Sequence, residues 1–389
     1  MTLNKGNWEE TQLGKVVQEL RNSSSNPIND GYDKYIGFEH IEPENLYLNR
    51  LGDLNDGVTF VRSFKKGDVL FGKIRAYLKK VAVAPIDGIC SGDILVLRTK
   101  DEEKLSQVLL PYYLTTKSFL KRAIDTSSGT TLPRTKWQHL TKHIIALPTL
   151  KEQKQIAALF QSIENAIGET GGQEIRLKNL ALKIIEDLTS DDPKLGNVLT
   201  ANNLIKTKLG EIAYEYSKRE DNPKGSKYDR YIGSDSIDRF DFKIEKWQSN
   251  KSVISAMKVF EPNDYLLVRR SLYASDFRER APRADFGGLC SGDILTIKEN
   301  NSVISDGYLL IVLNSPRLWA FIVANGSGSI TRRIKWKELS TFEISIPDYE
   351  SQKKIVQLFD QIQNAMQLLK QQKSSLKNLK QHLLNEILG

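Results

Sequence analysis

Hydroxylated and basic side chains gather in two loops of this chain, in matching order. Ser128, Gly129, Thr130 and Thr131 lead through Pro133 to Arg134, Lys136 and Trp137, and 199 residues later Ser327, Gly328, Ser329 and Thr331 lead to Arg332, Arg333, Lys335 and Trp336. Hydroxyls, adaptable backbone amides, cations and an aromatic in so short a stretch suit phosphate contacts with a few base-edge hydrogen bonds. Arginine is the best bidentate reader of guanine, and Ser and Thr adapt to several bases. Each loop has a companion basic run: Lys73, Arg75, Lys79 and Lys80 in the first case, Arg269, Arg270, Arg278, Arg280 and Arg283 in the second. One such run alone reads as a solvated face. Four runs in two matched sets point to a polyanionic partner, as does the formal net charge of +8.

Other chemistries find no constellation. No G-x-x-x-x-G-K-[ST] phosphate loop, G-x-S-x-G elbow or strand-to-helix G-x-G-x-x-G is present, and Gly326-Ser327-Gly328-Ser329 is only loosely a glycine-rich cradle. Neither an adenine-methyltransferase Asn-Pro-Pro-Tyr motif nor a Pro-Asp…Glu-x-Lys nuclease core occurs. His139 and His143 have the spacing of a metal pair, but no third His or Cys lies near, and Glu338 and Phe342 stand at the matching places of the second copy. Asp93 and Asp293 follow glycine at a strand entrance and read as turn residues rather than catalytic acids. Cys90 and Cys290 lie in apolar, strand-like surroundings and read as buried reduced thiols.

The elements that must hold the loops occur twice. Ile89 to Leu95 reads ICSGDIL and Leu289 to Leu295 reads LCSGDIL; Asp33-Lys34-Tyr35-Ile36-Gly37 answers to Asp229-Arg230-Tyr231-Ile232-Gly233. Matches in the same order at nearly constant offset mark a tandem duplication. In the first copy strands are expected at Tyr35 to Phe38, Val69 to Ile74, Val81 to Ala84 and Ile94 to Leu97, with a helix from Leu110 to Ile124. The second copy repeats them at Tyr231-Ile232, Tyr265 to Val268 and Ile294 to Ile297, with a helix over Tyr308 to Ala324 that Pro316 interrupts.

Each copy closes on a strand ending in proline, Ile144 to Pro148 and Phe342 to Pro347, and the period then changes. Thr149 with Glu152 forms a capping-box signature, and Asp348 is the corresponding N-cap. Beyond the caps runs a heptad seam: Ile156, Phe160, Ile163, Ile167, Leu177, Ala181, Ile184 and Leu188 in one tail, Ile355, Phe359, Ile362, Met366, Leu369, Leu376, Leu383 and Ile387 in the other. Two equivalent seams favour antiparallel pairing with each other over packing of each on its own globular part. A helix of about 35 residues would span about 50 Å, a ruler. The fold class is α+β: two similar strand-rich globular domains, residues 1–148 and 204–347, with long helices over 149–190 and 348–389 and a linker at 191–203.

A composition 40% hydrophobic and 27% charged is ordinary for a globular chain. The most apolar stretch, Tyr308 to Leu313, is far short of the roughly 20 residues of a membrane span, and the N-terminus has no apolar signal region, which points to a cytoplasmic location.

The order of these parts, with Glu152-Gln-Lys-Gln-Ile156 and Ser351-Gln-Lys-Lys-Ile355 opening the long helices, resembles the specificity subunit of a type I restriction-modification enzyme along essentially the whole chain. The resemblance implies two target-recognition domains, each reading one half of a split double-stranded DNA site. It further implies helices that fix the unread spacer and dock two methyltransferase subunits, with S-adenosylmethionine bound by the partner rather than by this chain; whether restriction subunits join the complex is open at the level of sequence. The differing loops, Leu132-Pro133-Arg134 against Thr331-Arg332-Arg333, imply two different half-sites. The competing expectations are an enzyme that modifies or cleaves DNA itself and a coiled-coil interaction protein that does not bind DNA.

Overall fold

A computed structural model describes residues 5–57, 60, 62–190, 204–253, 255–270, 279–328 and 332–389. The chain divides into two compact units. Met1–Gly172 with Lys370–Gly389 form the first, and Gln173–Leu369 form the second.

In the first unit, strands Val17–Leu20, Ile94–Thr99, Val69–Gly72 and Val81–Val83 make one antiparallel sheet in that order. Gly52–Asp53, Lys34–Ile36, Gly88–Cys90 and Arg62–Phe64 make a second sheet, in which Lys34–Ile36 and Gly88–Cys90 run parallel. Glu9–Gln12 pairs with the closing strand Ile144–Leu147.

The second unit repeats this plan. Its sheets are Ala213–Glu215, Ile294–Glu299, Tyr265–Val268 and the five-stranded Lys218–Glu220, Met257–Phe260, Gly288–Cys290, Arg230–Ile232, Gln248–Ser249; Leu204–Lys208 pairs with Glu343–Pro347. Register is duplicated too: Ile36 faces Cys90 as Ile232 faces Cys290, and Gly72 faces Ile94 as Val268 faces Ile294.

The repeated heptapeptide is therefore the crossover between the two sheets of each unit. Its apolar ends are buried on both sides, which is what β-branched and leucine-rich runs with no polar alternation require. Both cysteines are free and buried, and burial pushes each thiol up to about 12.

The helix expected from Leu110 to Ile124 is two helices, Leu110–Tyr113 and Lys117–Asp125. Thr116 adopts extended backbone between them, and its hydroxyl accepts from Phe119 N at 3.3 Å, so a local N-cap outcompetes continuation. Pro316 divides the second copy's helix into Tyr308–Leu313 and Pro316–Asn325, as expected.

Both long helices form, over Leu150–Leu188 and Tyr349–Ile387. The capping box is closed: Thr149 N donates to Glu152 Oε2 at 3.1 Å, and Glu152 N to Thr149 Oγ1 at 3.3 Å. Asp348 Oδ1 accepts from Ser351 N at 3.0 Å.

Within the first unit the two helices run antiparallel. Glu164 binds Lys380 at 2.8 Å, and a Cβ at Gly171 would lie 3.2 Å from the Lys373 ammonium. Ile156, Phe160, Ile163 and Ile167 share a core there with Leu384, Ile387 and Leu388. Burial of a ring such as Phe160 contributes about 1.5–3 kcal/mol. Within the second unit, Ala181, Ile184, Ile185 and Leu188 share a core with Ile355, Phe359, Ile362 and Met366.

Candidate nucleic-acid interface

The heptapeptide sets the backbone on which each basic loop is built. Ser91 N donates to Ile36 O at 3.0 Å, and the Ser91 hydroxyl accepts from Asp93 N at 3.2 Å. Asp93 O accepts from Lys73 N at 3.0 Å. In the second unit Ser291 N donates to Ile232 O at 3.0 Å, Asp293 N to the Ser291 hydroxyl at 3.2 Å, and Arg269 N to Asp293 O at 3.0 Å.

Each loop is a short excursion closed by an antiparallel bridge. Ser128 and Arg134 exchange backbone hydrogen bonds of 3.0 and 2.9 Å, and Ser327 and Arg333 exchange two of 2.9 Å. Gly129 and Gly328 carry φ of 111° and 119°, backbone that only glycine adopts without strain, which explains the matched Ser-Gly. Arg134 also lies opposite Ile74, and Arg333 opposite Arg270, so each loop is fastened to the strand before it.

The carboxylate of the repeated Asp closes the arrangement. Arg134 Nε donates to Asp93 Oδ1 at 3.1 Å. Asp293 receives two guanidinium groups, Arg333 Nε at 2.9 Å on Oδ1 and Arg270 Nη1 at 2.9 Å on Oδ2. These arginines remain 43–48% exposed. Lys73 stands beside Asp93, yet burial holds its ammonium below the usual lysine range, with the nearby Asp93 raising it and Arg62 and Arg134 lowering it further.

The remaining basic residues divide into outward cations and cations engaged within the protein. Ser128, Gly129, Thr130 and Thr131 are exposed, as are Lys136 and Lys335, which stand at the N-caps of the short helices Trp137–Leu140 and Trp336–Leu339. Arg75 sits in left-handed backbone with its N–H donating to Pro133 O at 2.8 Å; among the described residues its guanidinium has no partner.

By contrast, Lys79 binds Glu44 at 2.5 Å, and Lys80 donates to Phe38 O at 2.8 Å while lying 4.2 Å from the Phe38 ring centre. Arg269 Nη2 donates to Gly292 O at 2.9 Å, buried Arg280 donates to Ser234 O at 3.0 Å, and Arg283 binds Asp306 at 2.5 Å against the Tyr265 ring. Arg332 donates to Val323 O at 3.3 Å. Arg278, Ser329, Thr331 and the linker 191–203 lie outside the described residues.

His143 is packed edge-on against Phe119, and burial, with Arg122 nearby, brings it down to about 4; His139 Nδ1 lies 3.3 Å from Thr126 O. Among the described residues no group of three or more His, Cys, Asp or Glu could hold a metal ion. Nor, among them, is any helix long and apolar enough to cross a membrane.

Sequence reasoning missed the part played by Asp93 and Asp293. The Asp-to-Arg pairing keeps its place in both copies, Asp93 with Arg134 and Asp293 with Arg333, but it spans 41 residues in the first and no local pattern announces it. Tyr77, on the turn Ala76–Leu78 beside Arg75, is exposed.

Comparison with known proteins decides the lineage of this frame. Residues 5–179 and 284–378 match the family described as type I restriction modification DNA specificity domain. The chain belongs to this family. As a specificity subunit it carries the DNA sequence-specificity role of a type I restriction-modification system.

This specificity subunit is 25% identical over 415 residues to the putative type I restriction enzyme MjaX specificity subunit of Methanocaldococcus jannaschii, covering 98% of this chain and 92% of that one. It is 28% identical over 171 residues to the type I restriction enzyme EcoDI specificity subunit of Escherichia coli, covering 44% of this chain and 34% of the relative. The S subunit of a type I restriction-modification system from M. genitalium has the same fold, with a TM-score of 0.53 at 14% identity over 100% of this chain and 98% of that one. So does a chain from a structure of type I R-M complex assembly and conformational transition, with a TM-score of 0.56 at 18% identity over 99% and 98%.

Proposed function

We propose that each globular part, residues 1–148 and 204–347, reads one half of a bipartite duplex DNA site, while the long helices set the unread spacer and dock two methyltransferase subunits. The observation that carries this reading is the paired basic loop: two copies on one scaffold, each held by the same carboxylate, with different side chains at the tips. In the first unit Arg75, Ser128, Gly129, Thr130, Thr131, Arg134 and Lys136 face the DNA; in the second Arg270, Ser327, Gly328, Arg333 and Lys335 do. Outward cations on phosphates give affinity, and the loop arginines give base discrimination.

Lys79, Lys80, Arg280 and Arg283 act within the fold: Lys79 and Arg283 pair with carboxylates, and Lys80 and Arg280 donate to backbone carbonyls. This chain supplies recognition and no chemistry of its own. The methyl donor, S-adenosylmethionine, binds the partner methyltransferase subunits, restriction subunits join the same complexes, and the assembly works in the cytoplasm.

Exchange of residues 1–148 for those of another such subunit, followed by mapping of methylated bases, tests the independent readers. One half-site should change while the other half and the spacer stay. A change in both halves would refute the proposal.

A further inference from the structure

We infer that Asp93 and Asp293 are positioning residues for DNA reading: each grips its loop arginine side-on at Nε and leaves the end-on Nη1/Nη2 fork to meet a guanine edge. The inference rests on the DNA-reading role proposed above. Neither carboxylate is needed for the turn it sits in. The turn is already made by backbone bonds, Ile94 N to Ser91 O and Ile294 N to Ser291 O, both at 3.0 Å, and by the serine hydroxyls. The Asp93–Arg134 pair, 32% and 43% exposed, contributes little to stability. What the carboxylate does fix is the plane of the guanidinium.

Arg134 Nε–H donates to Asp93 Oδ1 at 3.1 Å, and Arg333 Nε lies 2.9 Å from Asp293 Oδ1 as an ion pair, so the two-pronged end of each group is left open, and a planar fork matches guanine O6 and N7. The second unit adds a second arginine, because Arg270 Nη1 takes the other oxygen of Asp293; that bond occupies one prong of Arg270, so Arg333 presents the open end-on fork there while Arg270 holds the carboxylate from its other side. A carboxylate beside a loop that meets DNA also repels phosphates, so it costs non-specific affinity. A residue kept there for folding alone would give no return for that cost; a residue that aims an arginine gives discrimination.

The test uses the full chain assembled with its methyltransferase subunits, bound to duplexes bearing the intact site, either half-site altered, or no site. Asp93→Asn is expected to lower discrimination at the first unit's half-site on the order of tenfold and to leave the other half unchanged. Asp293→Asn should do the reverse with a larger loss, since two arginines are released. Both variants should bind site-free duplex at least as tightly as the parent, a result that a merely misfolded loop would not give. In an Arg134→Ala background, Asp93→Asn should have no further effect on discrimination.

Unaltered discrimination in both variants, equal loss of specific and site-free binding, or additive effects in the double variant would overturn the positioning role. A parent complex that fails to discriminate either half-site would overturn the DNA-reading proposal itself, and the inference with it.

Discussion

Lys380 and Glu164 meet inside the first unit with side chains only 8% and 3% exposed, 2.8 Å apart; the lysine also donates to Glu44 O at 3.3 Å. At an effective dielectric constant near 20 their gross attraction is about 6 kcal/mol, and desolvation of the two ions offsets most of it. The pair therefore adds little net stability, but either ion alone is costly. Lys380→Met keeps the length and packing of the side chain and leaves Glu164 buried and uncompensated, so it should destabilise the first unit by about 3–5 kcal/mol. Glu164→Leu combined with Lys380→Met should recover most of that loss. Ala181 and Gln363 stand at the corresponding places of the second unit, so its transition should not move. Chemical denaturation followed by far-UV circular dichroism and tryptophan fluorescence, with the two transitions fitted separately, provides the measurement. A loss below about 1 kcal/mol for Lys380→Met would show that water reaches the pair and that the helix contact in this unit is looser than described.

Three further outcomes are expected. His143 is held neutral with its value lowered from about 6.5 to about 4, so the unfolded chain binds its proton first. Its contribution is complete above pH 6.5 and is lost as pH falls toward 4, about 1–2 kcal/mol once partial solvent screening is allowed for, and His143→Gln should flatten that part of a stability-versus-pH curve. Lys136→Ala and Lys335→Ala should each weaken binding to all duplex sequences and reduce the salt slope by about one, without changing discrimination; a change in half-site preference would contradict the phosphate assignment. One heptad inserted in each long helix, between Ile167 and Leu177 and between Met366 and Leu376, lengthens the helical path by about 10 Å and should lengthen the preferred spacer by about three base pairs. An unchanged spacer in a folded variant would refute the ruler.

Much of the fold was legible because it is written twice and locally. The duplicated heptapeptide, the proline-ended strands, the capping box at Thr149 and the interruption at Pro316 all depend on residues within a few positions of one another. What sequence hid is long-range. Gly-Asp at a strand entrance looks like a turn until the partner of Asp93, 41 residues away, is known. Lys380 and Glu164 are 216 residues apart, and a lysine amid a polar helical stretch gives no sign of burial. Toward the end of the second helix the most deeply buried side chains are Lys380, Leu384, Ile387 and Leu388, with Leu376 and Leu383 partly buried against the same core. That stretch also contacts the globular part: Asn385 Oδ1 accepts from Lys117 N at 2.8 Å. A heptad frame describes a helix with one partner, and this helix has two. The basic runs misled in a related way, since charge in sequence does not show that Lys80 lies on the Phe38 ring or that Arg280 is buried.

The composition of the first unit also bears on how the protein is made. Residues up to Gly172 supply most of that unit, but its core is closed by Leu384, Ile387 and Leu388. At about 5–20 residues per second, a ribosome needs roughly 10–40 s to travel from one set to the other. Throughout that interval Ile156, Phe160 and Ile163 have N-terminal neighbours such as Tyr112 but lack the C-terminal side of their core, while the second unit is still emerging. Folding from the N-terminus in order of synthesis cannot finish the first unit first, so both units reach completion late and nearly together. Slower synthesis of the second half of the chain therefore lengthens the time for which the core of the first unit stays open.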